Sequence, residues 1–106
     1  MENNTCTTFA GGAQHQQRLA TTALEQSLQR QLSTAHAAGR HFDLEVFLGL
    51  GMKCHLRVTE VGNGLLTGLM LFGFRGDSPR RCGGASAIRI SRIMMVEEIT
   101  GTGSYN

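Results

Sequence analysis

A chain of 106 residues, 41% hydrophobic and 17% charged, has room for one domain with a modest core and is too apolar to be a disordered tail. Its formal charge of +2 is too small to demand a polyanionic partner by itself, and no apolar run approaches the roughly 18–20 residues that span a bilayer. Cys6, Cys54 and Cys82 are an odd, widely spaced set without a CxxC pair, which argues against a disulfide framework and a zinc site and predicts a reducing, cytoplasmic setting.

The opening MENNTCTTFAGG has no basic region leading into an apolar stretch, so no secretory signal is expected and residues 1–12 read as a flexible arm. From 13 to 38 there is neither Gly nor Pro, and Ala, Gln, Leu and Arg dominate, which predicts a helix over 13–40. Leu19, Leu24, Leu28 and Leu32 form one narrow apolar stripe on it. A stripe that thin suits docking on a domain or a second subunit, so these four leucines are candidate partner-binding residues. Gly39 is the natural stop.

Residues 42–50, FDLEVFLGL, carry two periodicities. Phe42, Leu44, Val46 and Leu48 alternate as in a strand, whereas Leu44, Phe47 and Leu48 share a helical face with Asp43 as a cap. The balance tips to a short helix ending at Gly49. Residues 52–61 then read as a strand, with Met52, Cys54, Leu56 and Val58 on one face and Lys53, His55, Arg57 and Thr59 on the other. Gly62-Asn63-Gly64 supplies a tight hairpin, and 65–74 returns as a strand in which Gly68 permits a bend or close backbone approach. A polar loop follows over 75–86, then short β-branched runs at 87–90 and 93–99, then a frayed tail over 101–106. The expected fold class is α+β: an N-terminal helix followed, over 41–100, by a small, strongly bent antiparallel β-barrel.

The order of elements resembles the Sm-like family of small β-barrels (Hfq, LSm and Rof type). LRVTEVGNG, residues 56–64, is similar to the family's first motif, with Gly68 as the bend glycine of the next strand. IRISRI, residues 88–93, keeps both isoleucines and the arginine of the second motif. Ile90 stands where that motif has glycine, Arg92 stands where it often has asparagine, and FGFRGDSPRRC offers no match to the family's uridine-holding Asp and Asn. The resemblance covers roughly 42–99 and implies a homo-oligomer that binds RNA or, as in some members, a protein.

The residues themselves point to one chemical feature. Arg75, Arg80, Arg81, Arg89 and Arg92 face a single acid, Asp77, within 75–92, and arginine pairs bidentately with phosphate and stacks on bases. Lys53 and Arg57, with His55 between them, extend that basic surface along the first long strand. Together these are the candidate nucleic-acid-binding residues. Catalysis is not expected. Cys54 and His55 are adjacent on a strand and point to opposite faces, no nucleophile elbow is present, and the histidines lack partners at ligand spacing. No cofactor or metal is anticipated. The reading is a non-enzymatic binding or regulatory protein contacting RNA or another polyanion, with a protein-docking module as the alternative.

Overall fold

The computed structural model describes residues 9–72 and 81–99, with side chains from Arg18 onward except that of Arg81. The expectations for the first eight residues, for 73–80 and for the tail fall outside them.

Helix α1 spans Phe9–Ala37, beginning before residue 13 and taking in Gly11 and Gly12, which the sequence had placed in the arm. It stops where expected. Gly39 has φ +71°, its N–H donates to the His36 carbonyl at 3.0 Å, and the Arg40 N–H donates to the Ala35 carbonyl at 2.9 Å. These are the paired bonds of a Schellman cap, which needs a left-handed residue at this point.

Five strands follow: β1 Asp43–Gly49, β2 Met52–Gly62, β3 Leu65–Phe72, β4 Arg81–Arg89 and β5 Met95–Glu98, with a 3₁₀ turn, Ile90–Arg92, before the last. They form one antiparallel sheet in the order β4-β3-β2-β1-β5. The α+β class is as expected; the sheet is open, with no ladder joining β4 to β5 among the described residues.

Two segments depart from the sequence reading. β1 is a strand where a helix was favoured. Its strand period won because both of its edges are paired, to β2 and to β5, while Leu44 and Val46 enter the core; Asp43 meets Arg57 across β2 instead of capping a helix. β4 begins at Arg81, inside the stretch assigned to a loop. Cys82-Gly83-Gly84-Ala85-Ser86 has little strand propensity of its own, and pairing with β3 imposes the extended backbone. The absent side chain of Gly83 is also used: a β-carbon there would stand 2.5 Å from the Phe72 ring.

The β1–β2 and β2–β3 hairpins each turn in two residues. Asn63 and Gly64 (φ +54° and +75°) join β2 to β3, and Leu50 and Gly51 (φ +53° and +75°) join β1 to β2. The positive φ at both central positions matches the twist of paired strands. The sheet also curls. β5 starts opposite Phe47, whose β2 partner is Lys53, whereas β4 ends opposite Leu65, whose β2 partner is Gly62. A straight β2 would separate Lys53 from Gly62 by about 30 Å, yet the chain from Arg89 to Met95 reaches at most about 20 Å. Only a bent sheet brings those ends within range. The bend is built at Gly68, opposite an irregularity between Val58 and Glu60, where a β-carbon would overlap the Arg57 carbonyl oxygen.

The core lies in this curl under α1. Leu28 and Ala35 of the helix pack with Phe42, Leu44, Val46, Leu56, Val58, Val61, Leu66 and Ile90, all buried. Two polar contacts fix the helix over the second hairpin: the Gln29 amide donates to the Val61 carbonyl at 3.0 Å, and the Gly64 N–H donates to the Glu25 carboxylate at 2.9 Å.

Candidate functional site

The curl decides which basic side chains share a surface. Arg89 closes β4 opposite Leu65, and Arg92 closes the 3₁₀ turn; both are exposed at the corner where the chain leaves β4 for β5. Arg81 opens β4 at the other end of that strand, opposite Phe72. Arg75 and Arg80 lie outside the described residues. The described part of the arginine group is therefore one exposed pair, Arg89 and Arg92, at a single corner.

The β2 residues behave differently from one another. Lys53 is exposed, with Nζ 3.2 Å from the Glu45 carboxylate and 6.0 Å from the Phe47 ring centroid. His55 is half-buried, its Nε2 2.7 Å from the same Glu45 oxygen. Arg57 is not part of a solvated face at all. Only 9% exposed, it donates from Nε and Nη2 to the two carboxylate oxygens of Asp43, at 3.0 and 3.2 Å. A guanidinium engaged in this way inside the fold is unavailable to phosphate, so Arg57 leaves the candidate set. The alternation of β2 had put Lys53, His55 and Arg57 together; curvature exposes the first and buries the last.

The helix stripe is also divided. Leu28 is fully buried, and Leu24 and Leu32 pack against the same core, so three of the four leucines hold α1 to its own sheet. Leu19, 57% exposed, is the remaining accessible one. No thin stripe was needed for an external partner, because the open concave face of the sheet is the partner.

Two further features belong to this surface. The strand order leaves β4 and β5 as the sheet's outer edges among the described residues, and they carry opposite charge: Arg81 and Arg89 on one, Glu97 and Glu98 on the other, with Glu98 also 3.0 Å from Arg40. The second feature is an apolar surface at the β1–β2 turn, where Leu50, Met52, Met94 and Met95 are all exposed. Met94 and Met95 sit in a run that reads as core, and nothing in the one-dimensional pattern marks them as surface.

Cys54 stands with the core on the face opposite His55, and burial pushes its thiol above the usual range, which makes it a poor nucleophile. Among the described residues no group of three His, Cys, Asp or Glu side chains converges on a metal position. No helix among them is long and apolar enough to cross a membrane. No family model, curated protein or solved structure matches this chain.

Proposed function

We propose that this chain is a non-enzymatic binding protein of Sm-like architecture that assembles edge to edge with copies of itself and contacts RNA through Arg89 and Arg92. The observation that carries the reading is the strand order β4-β3-β2-β1-β5, bent at Gly68 and interrupted by the 3₁₀ turn before β5. That order leaves a basic edge and an acidic edge on one curled sheet. An acidic strand of one copy fits the basic strand of the next, and edge backbone groups with no ladder partner among the described residues favour such addition. The small barrel is completed within that assembly. Repetition places the Arg89–Arg92 corner several times over, which multiplies a weak phosphate contact into a useful one.

The test has two measurements. Light scattering of the full chain should report a defined oligomer, and a strict monomer at all concentrations overturns the assembly. Fluorescence anisotropy with mixed-sequence RNA at low salt should show binding that weakens steeply as salt rises. Changing Arg89 and Arg92 to Gln should weaken it at least tenfold; an absence of binding at low salt ends the RNA reading.

A protein-docking module is the second reading. It rests on the outer edge that β4 forms among the described residues and on exposed Leu19, since the other stripe leucines pack in or against the core. Partner capture lost on Leu19→Asp, with RNA binding unaffected, favours it.

A further inference from the structure

The four methionines among the described residues divide into one and three. Met70 packs against the core, whereas Met94, Met52 and Met95 are 74%, 56% and 49% exposed. Methionine is ordinarily a buried residue type, so three exposed around one turn are unusual. They take different positions on it. Met95 is the ladder partner of Phe47, which in turn faces Lys53, and Met52 is the partner of Gly49. Met94 fills the place that Gly49 leaves vacant, its Sδ 2.8 Å from where a β-carbon at 49 would be.

Two of these side chains stand where β5 begins. That strand has only four residues, and its ladder to β1 runs from Leu44–Glu98 to Phe47–Met95. Just before it, the Met94 N–H donates to the Phe47 carbonyl at 2.8 Å, which brings the Met94 thioether against Gly49. A thioether is soft and apolar and packs well on a glycine backbone or beside an aromatic ring. A sulfoxide is polar and draws its oxygen to water, so it gives up such contacts.

We propose that Met94 and Met95, with Met52 beside them, are a site of reversible oxidation by a peroxide, and that oxidation there loosens the acidic edge strand. This rests on the edge-to-edge assembly, in which β5 pairs with the next copy. In the step, a sulfur lone pair attacks one peroxide oxygen, an S–O bond forms, the O–O bond breaks, and water leaves. Sulfur loses two electrons and the peroxide gains them. A methionine sulfoxide reductase with a dithiol as reductant reverses it: the oxygen departs as water and the dithiol becomes a disulfide.

The experiment adds hydrogen peroxide to the full chain and follows it by peptide mass spectrometry, circular dichroism and light scattering. Met94, Met52 and Met95 should gain oxygen before Met70. The oxidised chain should keep its folded spectrum yet need about tenfold higher concentration to hold its oligomer, and reductase treatment should restore the original value. A Met52→Leu/Met94→Leu/Met95→Leu variant keeps apolar contacts at near-equal volume and retains all three cysteines. It should stay assembled in peroxide. If Met70 oxidises at the same pace as the other three, the site does not exist. If the native oligomer survives oxidation, if it is lost through unfolding, or if the leucine variant dissociates equally through its thiols, the switch is overturned while the assembly stands. A native chain already monomeric before peroxide overturns the assembly and this inference together.

Discussion

Arg57 and Asp43 face each other across β2 and β1 in a two-pronged ion pair, with Asp43 only 1% exposed and Arg57 9%. Planar guanidinium and carboxylate match in this geometry, so each charge is compensated where solvent is largely excluded. Removing one partner takes from the other its two-pronged counter-ion. Asp43→Ala should cost about 3–5 kcal/mol, and the Asp43→Ala/Arg57→Met pair should cost clearly less than the sum of the single changes. A double-mutant cycle by urea unfolding measures this, and simple additivity would show that the two groups act independently.

Gly68 and Gly84 give a matched comparison. A β-carbon at 68 would run into the Arg57 carbonyl oxygen and stand 2.9 Å from Leu56 Cγ, and backbone cannot yield as a side chain does. At 84 nothing lies within 4 Å. Gly68→Ala should therefore destabilise by at least about 1–3 kcal/mol, while Gly84→Ala should be neutral or slightly stabilising through the unfolded chain. Equal effects at the two positions would mean that the bend does not depend on glycine.

These contacts mark what a one-dimensional pattern conveys. The Gly39 cap and the Asn63-Gly64 turn were legible because each is made by neighbours in sequence. Gly68 was legible as a special position, though not the Arg57 carbonyl it accommodates. The identity of β1 was not decidable from 42–50, since Leu44 satisfies both periods and pairing to β5, a distant segment, settles the choice. β4 was hidden because small residues carry no strand signal. Of the candidate site, the exposure of Arg89 and Arg92 was foreseeable. The burial of Arg57 was not, because it requires the register that places Asp43 opposite it.

Leu50 occupies a position that suits another residue. It is 100% exposed with φ +53°, at the first central position of a turn whose counterpart in the second hairpin is Asn63 at φ +54°. A branched apolar residue in the left-handed region costs roughly 1–2 kcal/mol, and asparagine tolerates it better. Leu50→Asn reproduces the Asn-Gly turn already present in the chain. Its midpoint of thermal unfolding should rise, by an amount reflecting about 1 kcal/mol; a lower midpoint would show that Leu50 makes a stabilising contact.

Glu45 sets a pH dependence. Its carboxylate is held below the usual range, first by the hydrogen bond with His55 and further by Lys53, against the opposing effect of burial. A depressed folded-state value means that the stabilisation is present above the unfolded carboxylate value of about 4.3 and is lost as pH falls through the folded one. Stability measured from about pH 5 downward should decline more steeply in the native chain than in Glu45→Gln. Parallel curves would assign the acid sensitivity to other carboxylates.

The helix supplies the last comparison, because two leucines of one stripe have different tasks. Leu28 is fully buried against Phe42, Leu56, Ile90 and their neighbours, and its loss leaves a cavity beneath α1 that the sheet cannot close. Leu28→Ala should cost about 2–5 kcal/mol. Leu19, 57% exposed, lies beyond that contact, and Leu19→Ala should change stability by no more than about 0.5 kcal/mol. The contrast also determines how partner-capture experiments must be designed. A polar residue at 24 or 28 would release α1 from the sheet and abolish every interaction at once, through unfolding. Leu19 is the stripe position at which a loss of binding with unchanged urea midpoint identifies a docking contact.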